Sequence, residues 1–83
     1  MQFNIKWDNK ANKQLDKLEI VITKRIVKAV DDLKENPFSK DIRKLQDREG
    51  YRLRVGDYRV IFTIEEDSIK ILKVGHRKNV YER

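Results

Sequence analysis

The chain has 83 residues, 39% hydrophobic and 41% charged, which predicts one domain spanning 1–83 with a thin core and no room for a second internal site. Cysteine is absent, which excludes disulfides, thiolate metal sites and a cysteine nucleophile together. A formal net charge of +6, from 20 Lys and Arg against 14 Asp and Glu, points to a polyanionic partner, most commonly nucleic acid.

Phe3, Ile5 and Trp7 alternate with Gln2, Asn4 and Lys6, the period of a half-buried strand. This opening lacks the apolar run of a signal peptide, and no later run approaches the ~20 residues of a membrane span. A cytoplasmic protein without a membrane partner is therefore expected. Asp8 or Asn9 can cap a helix, and Ala11, Leu15 and Leu18 at i, i+4, i+7 predict one over 9–19. Ile22, Ile26, Ala29, Val30 and Leu33 form a second apolar stripe, with Lys24, Arg25, Lys28, Asp31 and Asp32 turned away. Asn36-Pro37 ends it, because proline disfavours helical geometry in the preceding residue.

Residues 38–50 hold no sustained period and read as a loop, with at most a short element around Ile42 and Leu45. The period then switches to two. Tyr51, Leu53 and Val55 alternate with Arg52 and Arg54, Gly56-Asp57 suits a type II′ hairpin turn, and Tyr58, Val60, Phe62 and Ile64 alternate with Arg59, Ile61 and Thr63. Glu65 to Ser68 is a second turn, and Ile69 to Val74 is a third strand of this group, apolar on both faces. The expected fold is α+β in the order β-α-α-β-β-β, a small antiparallel sheet with a two-helix hairpin on one face.

The hairpin carries the sharpest inference. A two-residue turn at Gly56-Asp57 sets Val55 against Tyr58 and so Arg54 directly against Arg59, with Arg52 one pleat further along the same face. Like charges opposed across strands are destabilising, and neither strand offers a carboxylate on that face. Well-separated guanidinium groups on a solvated face are the bland alternative. An anion site is the sharper one, since arginine forks suit phosphate oxygens. His76, Arg77 and Tyr81 follow the last strand, and a neighbouring strand would deliver them towards the same patch as a plausible acid–base set. One histidine and no cysteine cannot build a zinc site, and no glycine-rich phosphate loop occurs. Any reaction here is expected to proceed without metal or cofactor.

The run Tyr51-Arg52-Leu53-Arg54-Val55-Gly56-Asp57-Tyr58-Arg59-Val60-Ile61-Phe62, followed by Val74-Gly75-His76-Arg77-Lys78-Asn79-Val80-Tyr81, resembles the C-terminal half of RelE/ParE-superfamily toxins. The opening strand, the helices ending in Asn36-Pro37-Phe38, and Lys44-Leu45 extend the resemblance over nearly the whole chain. It implies a toxin of a type II toxin–antitoxin pair, wrapped by a RelB-like antitoxin through which alone it meets operator DNA. For the RelE branch it implies a ribosome-dependent endoribonuclease that cuts messenger RNA in the A site by 2′-hydroxyl attack on the adjacent phosphate. Arg52, Arg54, Arg59, Arg77 and Tyr81 match the family's site positions. Arg59 and Arg77 would hold the phosphate, and Tyr81 would stack on a base or orient the 2′-hydroxyl. The best-known ribonucleases carry lysines where Arg52 and Arg54 stand; arginine cannot give up a proton, so that role is vacant or moved to His76. The chain also stops two residues after Tyr81, without the C-terminal helix of some members. A ParE-like gyrase poison and a weakly active homologue that mainly binds its antitoxin are the alternatives.

Overall fold

The computed structural model describes residues 2–80. Strand β1 (Asn4–Trp7) hands over to helix α1 (Asn9–Asp16) at Asp8, whose extended backbone and carboxylate, accepting from the Lys10 amide, make the N-cap. Helix α1 is shorter than the apolar spacing predicts. The amides of Lys17 and Leu18 bond back to Gln14 and Leu15, and Glu19 is already extended as the N-cap of α2 (Ile20–Asp32). The Thr23 hydroxyl donates to the Leu15 carbonyl at 3.2 Å, tying the start of α2 to the end of α1.

The sheet has five strands, in the order β1-β5-β4-β3-β2. The added one is β2 (Ile42–Lys44), where the loop is expected to hold at most a short element around Ile42 and Leu45; three residues are too few to establish a period of two. It pairs with β3 (Tyr51–Val55), which joins β4 (Tyr58–Glu65) through the Gly56-Asp57 turn, and β4 joins β5 (Ser68–His76) through Glu66-Asp67. These pairs are antiparallel, whereas β1 runs parallel to β5, so the sheet is mixed. Connectivity permits this, because both helices and three strands lie between β1 and β5 in the chain, long enough for a crossover.

The apparent apolarity of β5 on both faces has a local cause. Ile61 pairs with Lys73 but Phe62 pairs with Ile71, so Leu72 is the extra residue of a β-bulge. Ile69, Ile71 and Val74 thereby all reach the core, and Lys70 and Lys73 turn to the other face. The helices cover the first of these faces. Ile26 and Val30 of α2, and Leu33 just beyond it, are buried with Leu53, Val60 and Phe62 of the sheet, as the stripe predicts. Helix α2 runs diagonally: Ile22 and Arg25 lie beside Val55 and Tyr58, while the Lys34 carbonyl beyond its end accepts the Phe3 amide at 2.9 Å. Helix α1 is fastened to β5 by Gln14, whose Oε1 accepts the Val74 amide at 2.8 Å. Among the described residues no helix is long and apolar enough to cross a membrane.

Two substitutions test this packing by urea denaturation. Ile26→Ala should cost ~2–5 kcal/mol, as truncation of a fully buried aliphatic does. Gln14→Leu should cost ~1–3 kcal/mol by leaving the Val74 amide without its acceptor.

Candidate nucleic-acid interface

The face of the sheet turned away from the helices carries the charge. Register puts Arg54 opposite Arg59 and Arg52 opposite Ile61, so the three hairpin arginines share this face as the sequence predicts. Strand β2 adds Arg43, directly opposite Arg52. Sequence reasoning misses Arg43 because its strand is too short to read; the alternation of Ile42 with Arg43 is the only signal. A third like-charged pair, Lys6 with Lys70, lies at the far edge. There Glu65, Glu66 and Asp67 line the same shallow cavity as both lysines, so that end is charge-balanced. The excess positive charge is concentrated at the β2-β3-β4 end.

Two carboxylates reach this end from outside the strands. Asp41, just before β2, bonds the Arg54 guanidinium at 3.0 Å. Asp57, in the hairpin turn, lies 4.0 Å from Nε of Arg77 and accepts the Arg77 amide on its carbonyl. The expectation of an unneutralised face is corrected accordingly: at this end the strands supply no acid, Glu65 lying at the far end of β4, but their flanking segments supply two. Both pairs are solvent-exposed and so worth little each, of order 0–1 kcal/mol.

Arg59 is held differently. One of its terminal nitrogens donates to the carbonyls of both Gly56 and Tyr58 at 2.8 Å, fixing the guanidinium beside the hairpin turn. Glycine takes the turn's first position, where φ is +58°, without the cost a side chain would add. Opposite Arg59 stands Gly75, and Val80 folds back over it, so a Cβ on Gly75 would lie 3.7 Å from that of Val80. Val80 and Ile61 are each 2% exposed yet lie outside the main core, making the arginine face partly apolar.

His76 does not join the arginines. It is part of β5 and pairs with Tyr58, so it lies on the helix-covered side, its ring edge-on to Tyr58 with centroids 5.5 Å apart. The expectation that it follows the strand into the patch fails because β5 runs two residues further than its apolar run indicates. Its Nδ1 accepts the Lys78 amide at 3.2 Å, which assigns the proton of the neutral ring to Nε2. Arg77 leaves the strand end exposed beside Asp57. Tyr81 lies outside the described residues. The structure thus brings Arg52, Arg54 and Arg59 onto one face with Arg77 at its end, and turns His76 away. Among the described residues no cluster of His, Asp or Glu is disposed to hold a metal ion.

This array, with Arg52 and Arg59 half-buried and Arg43, Arg54 and Arg77 exposed, suits a phosphodiester chain: planar forks in rows, with aliphatic surface between them. If Asp41 competes with such an anion for Arg54, Asp41→Asn should change stability by no more than ~1 kcal/mol. It should also tighten heparin retention, read as a later elution in a salt gradient.

Comparison with known proteins agrees with the geometry. A family model described as the ParE toxin of the type II toxin–antitoxin system, parDE, matches residues 5–81. No curated protein sequence matches the chain. Among solved structures, the archaeal RelE–RelB complex from Pyrococcus horikoshii OT3 matches with a TM-score of 0.82 at 31% identity, over 96% of this chain and 100% of that one. The RelBE2 toxin–antitoxin complex of Mycobacterium tuberculosis matches with a TM-score of 0.83 at 26% identity, over 93% and 100%. The RelB–RelE complex of Methanococcus jannaschii matches with a TM-score of 0.76 at 28% identity, over 92% and 94%.

Proposed function

The chain belongs to the ParE toxin family of type II toxin–antitoxin systems, a member of the RelE/ParE superfamily with the RelE-like fold, and from that premise we propose that it is a metal-independent endoribonuclease. Its substrate in this reading is messenger RNA in the ribosomal A site, and its place of action the cytoplasm. The observation that carries the reading is the Arg54–Arg59 rung, with Arg59 immobilised by two backbone carbonyls. Two guanidinium groups opposed at the turn end of the hairpin, with Glu65 at the far end of β4, suit the charge that builds on a phosphate under attack.

The 2′-hydroxyl attacks the adjacent phosphorus and loses its proton. The bond to the 5′-oxygen breaks, leaving a 2′,3′-cyclic phosphate and a 5′-hydroxyl. Arg59 and Arg77 stabilise the non-bridging oxygens, with Arg54 released from Asp41 as the phosphate arrives. A preorganised donor of this kind contributes because it needs no reorientation as charge develops. Arginine does not surrender protons, so the leaving oxygen takes its proton from water or the ribosome. His76 faces Tyr58 and shapes the strand end in this reading. Tyr81 is proposed to stack on a base or orient the 2′-hydroxyl.

In single-turnover cleavage on programmed ribosomes, Arg59→Ala or Arg77→Ala should lower the rate ~10²–10³-fold. Arg59→Lys should recover only part of it, having charge but no fork. Unchanged cleavage by the double alanine variant would end the ribonuclease reading. Because the matching family model is that of the ParE toxin, the gyrase poisoning that the resemblance implies for a ParE-like toxin is the second reading, and inhibition of supercoiling by the purified chain would support it.

The partner proposed is a RelB-like antitoxin, acidic and largely disordered until bound, which alone brings the chain to operator DNA. Relatives of this chain are found in RelE–RelB complexes. A groove of about 480 Å³ between β1 and α2, lined by Phe3, Ile5, Trp7, Val27 and Val30, with Lys34 and Asp31 paired to each other at its rim, supports an apolar anchor from the antitoxin. Calorimetry at low salt should show tight binding, and Val27→Asp should weaken it at least tenfold, or ~1.4 kcal/mol.

A further inference from the structure

The basic face has a second rung. Arg43 lies directly across the ladder from Arg52, and on β3 Arg52 is the same-face neighbour of Arg54, about 6.7 Å along the strand. Opposed like charges are disfavoured in a sheet, and this sheet opposes them twice in succession.

The second rung differs from the first in its company. Arg54 has Asp41, whereas among the described residues no carboxylate pairs with Arg43 or Arg52. Arg52 is half-buried, and its Nε is buried with no hydrogen-bond partner, a donor desolvated without an acceptor. A cleft of about 280 Å³ adjoins the pair, lined by Arg43, Lys44, Leu45, Gln46, Asp47 and Arg52. Asp47, the single carboxylate of that lining, already has an interaction of its own.

We propose that Arg43 and Arg52 form a second phosphate subsite, which holds the backbone of single-stranded RNA one nucleotide or more away from the bond cut at the Arg54–Arg59 rung. The inference rests on the RNA-cleaving reading and extends it from one phosphate to a track. Two guanidinium pairs in series fit a ligand with repeating charge, whereas a lone anion would occupy one rung only. Arg43 is a positioning residue here: it fixes the strand's direction across the sheet and touches no reacting atom.

The test uses the full chain and a fluorescent single-stranded oligoribonucleotide, 2′-O-methylated throughout so that no nucleophile is present. Anisotropy titrations are run over a range of salt concentrations. On a single strand each neutralised phosphate contributes about 0.7 to the slope of log K against log salt. Arg43→Thr should forfeit that increment and bind several-fold more weakly at low salt, while Arg43→Lys should keep most of the slope. Threonine favours strands and relieves the repulsion, so the Thr variant should melt no lower than the parent, which separates impaired binding from impaired folding. Lys28→Thr, on the exposed side of α2, controls for net charge and should leave most of the slope intact. A parent that binds and an Arg43→Thr variant of identical slope would overturn the second subsite and leave the ribonuclease reading standing. A parent with no salt-dependent affinity would overturn both. An equal reduction in Lys28→Thr would show a diffuse field and overturn the subsite.

Discussion

Everything on the charged face depends on a turn of two residues. Gly56, with φ at +58°, lets β3 fold back onto β4 without an intervening loop, and the ladder then has one register open to it. A slip of β3 by one residue would carry Leu53 to the solvent side and Arg52 and Arg54 into the core. The apolar face therefore enforces the pairing of Arg54 with Arg59, which electrostatics alone would avoid. Core burial is worth several kcal/mol here, and a solvated like-charge pair costs a fraction of one, so the core wins. The same register hands Arg59 the carbonyls that hold it.

Legibility in the sequence follows the length of each element. The β3–β4 hairpin shows both its period and its turn residue, so the sequence alone fixes which way each of its side chains faces. Helix α2 is equally plain, because thirteen residues give the stripe three full turns. Strand β2 and the bulge at Leu72 are hidden for opposite reasons: one is too short to show alternation, and the other breaks the alternation of a long strand. Hiding β2 conceals Arg43. Ending β5 at Val74 conceals that His76 is still in the ladder and therefore committed to a face. Asp41 and Asp57 escape notice as partners because they flank strands and do not lie within them. Pairing strand β1 with β5 in parallel is a long-range choice that local pattern does not encode.

The two faces of the sheet divide the work. The helix-covered side holds the fold with Ile26, Val30, Leu33 and Phe62, all buried. The other side concentrates cations at one end, and a balancing acidic turn at Glu65 to Asp67 keeps the Lys6–Lys70 pair from competing for the same ligand. Neutralising Arg43 or Arg52 would relieve repulsion, so their presence is a stability cost set against binding. Such a cost is common where a surface must receive an anion.

Strand β1 is also an edge, and its outer side has consequences for how copies of this chain treat one another. Exposed edges are templates for self-association, and proteins blunt them by keeping them short and placing lysine on them. Here the edge is four residues long and carries Lys6. A second copy approaching it would bring +6 against +6, whereas an acidic chain would be drawn in. The net charge of the whole chain, rather than Lys6 alone, sets this difference, and raising the salt should erode the distinction between self and partner.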